Sequence, residues 1–228
     1  MIVTIHQPEH LPWLGYFHKM ALADCYVLLD NVQFRKNYFQ NRNKIMGVNG
    51  PMWLTVPVSI AGHTDSMLAT TSISGQGNWR KKYWKSIQSS YSKHPFYPCY
   101  AEAIETIIFN DWQYLVDLNI ALINFFAGVL GIEKKIIRAS TLDVKGKRSE
   151  LLLDICRATK ATTYLAGPSG ADYLDEELFK NADVAVTYHV FCHPEYSQLK
   201  QQEFTSHLSV LDLIFNHGPE SYRILIGP

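Results

Sequence analysis

The first thirty residues constrain the fold more tightly than any other stretch. Ile2, Val3, Thr4 and Ile5 are all β-branched, with no turn former among them, and read as a buried strand. Pro8 has no N–H to give a ladder, so pairing should stop before it. Pro12 suits the first turn of a helix, and Trp13, Phe17, Met20 and Ala21 recur at helical spacing. Tyr26 to Leu29 is a second apolar run, closed by Asp30. Strand, helix and strand in that order imply a right-handed crossover and a parallel sheet. In open parallel sheets ligands gather outside the carboxyl ends of the strands. His6, Gln7 and His10 follow the first strand, and Asp30 and Gln33 follow the second. The sharpest expectation is that His6, Gln7, Asp30 and Gln33 share one sheet edge.

The rest of the chain extends this pattern. A turn at Gly47 to Pro51 precedes a β-prone run, Trp53 to Val58, in which Pro57 marks an edge or an end. Ser59 to Asn78 is rich in Ser, Thr and Gly and reads as a long loop or lid. Within it, Gly75-Gln76-Gly77 could let backbone amides approach a phosphate, although no full phosphate-binding fingerprint is present. Trp79 to Tyr91 reads as a helix with Trp79, Tyr83, Ile87 and Tyr91 on one face, either a core stripe or a platform for a nucleobase. Helices are expected over Tyr100–Ile108 and Asp111–Leu130, the second closed by Gly131. Then strands at Lys135–Ala139, Thr162–Leu165 and Val184–Val190 alternate with helices at Ser149–Lys160, capped by Ser149, and Asp172–Lys180. The fold class is therefore α/β, a mostly parallel open sheet of Rossmann-like, nucleotide-binding type with an inserted helical region. A single domain over residues 1–228 is expected, with a loop and helical insertion at about 59–131.

Composition sets outer limits. The 228 residues are 47% hydrophobic and 18% charged, which favours a packed core over disorder. No apolar run reaches the length of a membrane span, and the N-terminus does not resemble a signal peptide. Four scattered cysteines without a C-x-x-C read as reduced thiols of a cytoplasmic protein. Net charge is zero, yet Asn31 to Tyr100 holds nine basic residues and one acid, Asp65. Such asymmetry points to an anionic partner at one face.

The motif I-H-Q-P-x-x-L-P-W-L-G-Y-F, followed by A-D-x-x-V-x-L-D-x-V-Q-F and N-R-N-K, resembles the WbqC-like family of bacteria. Similar matches lie in Tyr164 to Gly170, His193-Pro194-Glu195-Tyr196-Ser197-Gln198, Leu208 to Asp212 and Phe215 to Gly218, so the resemblance spans nearly the whole chain. One departure is His10, where a tyrosine is expected of the family. Members occur in gene clusters for O-antigen and other surface polysaccharides, so the resemblance implies a part in building or decorating sugars.

From these residues the expected activity is that of a transferase moving an acyl or aminoacyl group to an amino group of a nucleotide-linked sugar. His6 is the expected general base, with Asp30 orienting it or binding hydroxyls, since an unperturbed imidazole titrates near neutrality. Gln7, His10, Trp13, Tyr16, Gln33, Asn41, Arg42, Ser169, His193, Tyr196 and Gln198 are the candidate substrate contacts. Arg42 could grip a diphosphate with its guanidinium fork. The donor would be an aminoacyl-tRNA or an acyl group on a thioester carrier, and no other cofactor is implied. Three alternatives stand beside this: a nucleotidyl- or adenylyl-transferring enzyme, a non-catalytic nucleotide-sugar binding or scaffold protein, and RNA binding alone, which needs the basic segment to face outward as one stripe. Ser169 is not in a G-x-S-x-G elbow, and Cys192 and His193 are adjacent in sequence, which rarely turns two side chains toward each other. His6, His10, His193 and Asp30 have no spacing that demands a metal, and none is expected.

Overall fold

Alternating strands and amphipathic helices build the layered arrangement that the sequence pattern implies. The computed structural model describes residues 1–59, 66–75, 77–199 and 203–227. In chain order the elements are β1 (Ile2–His6), α1 (Leu14–Ala21), β2 (Cys25–Leu28), β3 (Arg42–Gly47), β4 (Gly50–Thr55), β5 (Val58–Ser59), β6 (Ser72–Ile73) and α2 (Trp79–Tyr91). They continue with α3 (Tyr97–Phe109), α4 (Leu115–Val129), β7 (Lys135–Arg138), α5 (Ser149–Ala158), β8 (Thr163–Ala166), α6 (Glu176–Lys180), β9 (Ala185–Tyr188), α7 (Val210–His217) and α8 (Ser221–Ile226). Residues 60–65 of the expected Ser59–Asn78 lid, and Gln76 of the Gly75-Gln76-Gly77 turn, lie outside the described residues, and the described part carries a 3-10 turn at Leu68–Thr70 and strand β6 where a plain loop was expected.

The chain divides into two compact units. The first comprises Met1–Gln7, His18–Asn31 and Ile132–Cys192. It holds a five-stranded sheet in the order β7-β2-β1-β8-β9, and every pairing in it is parallel. This is the Rossmann-like α/β arrangement: the chain winds outward from β1 through β2 to β7, then returns to the other side of β1 for β8 and β9. The order reverses between β1 and β8, and a crevice at such a switch point is where α/β sheets take ligands. One face packs Val3, Ile5, Cys25, Val27, Tyr164 and Ala166 against Leu152, Leu153, Ile155 and Cys156 of α5 and Phe179 of α6. Tyr164 and Phe179 stack at 5.5 Å with rings 14° apart. Each such aliphatic side chain contributes about 1.5–3 kcal/mol on burial.

The second unit comprises Pro8–Phe17, Val32–Gly131 and His193–Pro228. It takes in the expected insertion together with segments on either side of it. Its β3–β4 hairpin is antiparallel, with Arg42 opposite Thr55 and Gly47 opposite Gly50, and turns through Gly50 at φ +109°. Helix α2 spans the expected residues, but Tyr83, Trp84, Ile87 and Tyr91 are buried, so its aromatic stripe is core and not a platform for bases. Tyr91 and Tyr97 both pack on Phe215 of α7 with centroids 5.2 Å away. After α7 the chain turns at Gly218, φ +50°, where a Cβ would lie 2.3 Å from the Phe96 ring.

Some expected boundaries move. Helix α4 starts at Leu115, after a loop, instead of at Asp111. Ser149 does not cap α5; Arg148 holds that position at φ 52°, and the Ser149 hydroxyl accepts from Asp175 N at 3.1 Å. Asp175 in turn caps α6, accepting from Leu178 N at 3.2 Å, so that helix begins later than Asp172. Gly131 closes α4 as expected, with φ +67° and its N–H donating to Gly128 O at 3.0 Å.

Candidate functional site at the sheet edge

The first unit brings His6 and Asp30 to one end of its sheet. β1 and β2 run parallel with His6 beside Leu28, and the Leu29 amide donates to His6 O at 2.8 Å. His6 Nδ1 lies 3.2 Å from Gln7 O, which places the proton on Nδ1 and makes Nε2 an acceptor. Burial, reinforced by the Lys19 ammonium, holds the His6 ring at about 3. This corrects the expectation of an imidazole poised near neutrality: the ring is neutral, and it is a weak base. Asp30 is fully buried, and its carboxylate accepts from residues at the end of β7. Its Oδ2 accepts from Arg138 Nε and Ser140 Oγ, both at 2.7 Å, and its Oδ1 accepts from Ser140 N at 2.8 Å. Asp30 therefore joins two strand ends and does not orient His6.

Three residues that sequence reading missed gather at the same edge. Lys19, only 3% exposed, donates from Nζ to Ile5 O at 3.1 Å. The same Nζ lies 3.9 Å from where a Cβ on Gly167 would sit, just past the end of β8. His189 follows β9, its amide donating to Ala166 O at 2.8 Å. Its Nε2 meets His18 Nδ1 at 2.8 Å, so one ring donates and the other accepts. Burial first, then the His18 and Lys19 charges, hold His189 at about 4. The signal available in sequence was slight: His18 and Lys19 sit five and six residues past Trp13 in the expected helix, and His189 lies near the end of the expected last strand, Val184–Val190. Ser169 is exposed in the turn that follows Gly167.

The remaining candidates lie in the second unit, in two groups. His10 is fully buried, with Nδ1 2.8 Å from Asn119 Oδ1 and Nε2 2.6 Å from Tyr83 OH. Asn119 Nδ2 donates to Pro8 O at 2.9 Å and Gln40 O at 2.7 Å. Both imidazole nitrogens are used, so His10 has none to offer a substrate. Tyr16 is buried against Phe17, Asn41 donates to Val56 O, and Gln33 is exposed and bridges to Met67.

In the other group Trp13 stacks on His207 at 5.2 Å and on His193 at 6.4 Å, and His193 stacks on Tyr196. Gly15 makes this placement feasible, because a Cβ there would lie 2.4 Å from the Trp13 ring. Tyr196 OH and Gln198 Nε2 donate to Asp212 Oδ2 at 3.1 and 2.8 Å, and Tyr91 OH donates to Oδ1 at 3.2 Å. Burial pushes the Asp212 carboxyl up from its ordinary value, against those three donors. Gln198 and Tyr196 thus spend their polar atoms inside the unit. Among the described residues no three His, Cys, Asp or Glu side chains are grouped to hold a metal ion, and no helix is long and apolar enough to cross a membrane.

A five-stranded parallel sheet with polar side chains at its switch-point edge defines an α/β protein of Rossmann-like fold. Residues 7–224 match the WbqC-like protein family, and the chain belongs to that family. It is 31% identical over 222 residues to an uncharacterized protein, Rv1507c, of Mycobacterium tuberculosis (strain ATCC 25618 / H37Rv), covering 96% of this chain and 95% of that one. No solved structure matches.

Proposed function

We propose that this chain is a transferase of surface-polysaccharide biosynthesis, acting on a nucleotide-linked amino sugar at the carboxyl edge of the parallel sheet. The observation that carries the reading is His6, neutral and set at the end of the central strand beside the β1/β8 switch point. The sugar amine attacks the carbonyl of an acyl or aminoacyl donor, forming the amide bond and breaking the bond to the carrier oxygen or sulfur. Nitrogen becomes strongly acidic as it adds, so even a weak imidazole can take its proton at Nε2. The proton leaves on the carrier hydroxyl or thiol. A diphosphate near Lys19 would offset part of the field that holds His6 down, strengthening the base when substrate is bound. Gln7 and Ser169 are the further residues of this unit assigned to the sugar nucleotide.

The test is mass-spectrometric detection of the amide from a nucleotide-linked amino sugar and either an aminoacyl-tRNA or an acyl thioester. His6→Gln should lower the rate by about 100-fold or more while keeping the affinity for the sugar nucleotide. Undiminished turnover in that variant ends the general-base role. Binding without turnover for any donor favours the scaffold alternative, and pyrophosphate release from a nucleoside triphosphate favours nucleotidyl transfer.

A further inference from the structure

Among the described residues of the basic segment, cations and exposed aromatics meet at the β3–β4 hairpin and the loop that precedes it. Side chains alternate along paired strands, and Lys44 faces Trp53 while Arg42 faces Thr55. Arg42, Lys44, Trp53 and Thr55 therefore share one face, and Asn43, Ile45 and Leu54 are buried on the other. Trp53 is 40% exposed, with the Arg42 guanidinium 4.2 Å and the Lys44 ammonium 5.3 Å from its ring centroid. Phe39 lies 6.0 Å from Trp53, and Tyr38 5.3 Å from Phe39. Tyr38 is 39% exposed and carries Arg35 4.6 Å over its own ring. The result is a row of three aromatic rings flanked by cations. From Asn31 to Thr64 the sequence contains no acidic residue at all. Arg42 Nη2 donates to Asn37 O, which fixes the guanidinium over the Trp53 ring.

We infer that this face binds single-stranded RNA, with bases stacked on the Tyr38, Trp53 and Arg42 planes and phosphates held by Arg35, Lys36 and Lys44. Stacking platforms interleaved with cations are what unpaired polynucleotides require, because every base offers a π-face and every linkage a charge. A free sugar nucleotide presents one base and would leave most of the row unused. The choice of RNA over DNA rests on the aminoacyl-tRNA donor of the proposed reaction; the surface itself does not depend on that reaction.

The experiment is fluorescence anisotropy of a labelled single-stranded oligoribonucleotide with the full chain. Trp53→Ala should weaken binding by about 5- to 100-fold, and Trp53→Phe should restore most of it. Phe39 packs on Trp53, so a second variant leaves that packing intact: Arg35→Ala with Lys44→Ala, both exposed. That pair should reduce the slope of log affinity against log salt by about 0.7 for each phosphate no longer neutralised. Wild-type affinity in both variants would overturn the inference. Duplex RNA bound as tightly as the single strand would reduce the surface to charge alone, and tighter binding of single-stranded DNA would overturn the choice of RNA. RNA binding without amide formation sinks the transfer reading and leaves this one standing. Amide formation from a thioester with no RNA binding does the reverse.

Discussion

His10 illustrates how burial decides the meaning of a polar residue. In sequence it follows a strand end and invites a substrate contact. In the structure it is a hub, joining Asn119 and Tyr83 inside the second unit. His10→Ala removes one partner from each of two buried groups and leaves a cavity. The expected loss is about 2–4 kcal/mol of unfolding free energy, read as a lower urea midpoint at unchanged slope. A variant as stable as wild type would mean the hub does not hold the unit together.

Strand ends in this chain are rich in polar residues that resemble loop. The run Gln40-Asn41-Arg42-Asn43-Lys44 looks like a polar loop, yet Arg42 to Lys44 form half of β3. The hairpin forms because Asn43, Ile45 and Leu54 bury while Arg42 and Lys44 face outward, a two-residue period masked by flanking polar side chains. Asp30 acts at the same level, pinning the end of β2 to the end of β7 through three charge-assisted contacts. Asp30→Asn keeps an oxygen for Ser140 N but loses the ion pair with Arg138. Chemical denaturation should show a loss of about 2 kcal/mol, with transfer activity retained at pH 7. Loss of activity at full stability would instead make Asp30 a substrate contact.

At the scale of the whole molecule, buried imidazoles set the pH response. His6 and His10 titrate at about 3 and about 4 in the folded protein, below the ordinary value near 6.5 because burial disfavours the charged ring. The unfolded chain therefore binds more protons between those values, and stability must fall as pH falls. The loss begins near pH 6.5 and is complete only near pH 4 for His10 and pH 3 for His6. Between pH 7 and pH 5 each ring should cost about 2 kcal/mol, visible as a falling urea midpoint. His189 is held at about 4 as well, so His6→Gln should flatten that dependence by about a third. A midpoint independent of pH over this range would contradict the buried-neutral assignment.

Sequence alone determined the parallel α/β class, because a β-branched run, a helical period and a second apolar run within thirty residues leave few other topologies. It also determined the sheet-edge position of His6 and Asp30, since parallel pairing brings the carboxyl ends of β1 and β2 together. It could not say where side chains turn or what they find there. Only the tertiary structure decided that Asp30 faces Arg138, that His10 is enclosed, and that Lys19 and His189 join the edge from α1 and β9. The reason is physical: pattern records which face of an element is buried, whereas the partner of a buried polar group comes from wherever the chain returns. For Asp30 that partner is 108 residues away.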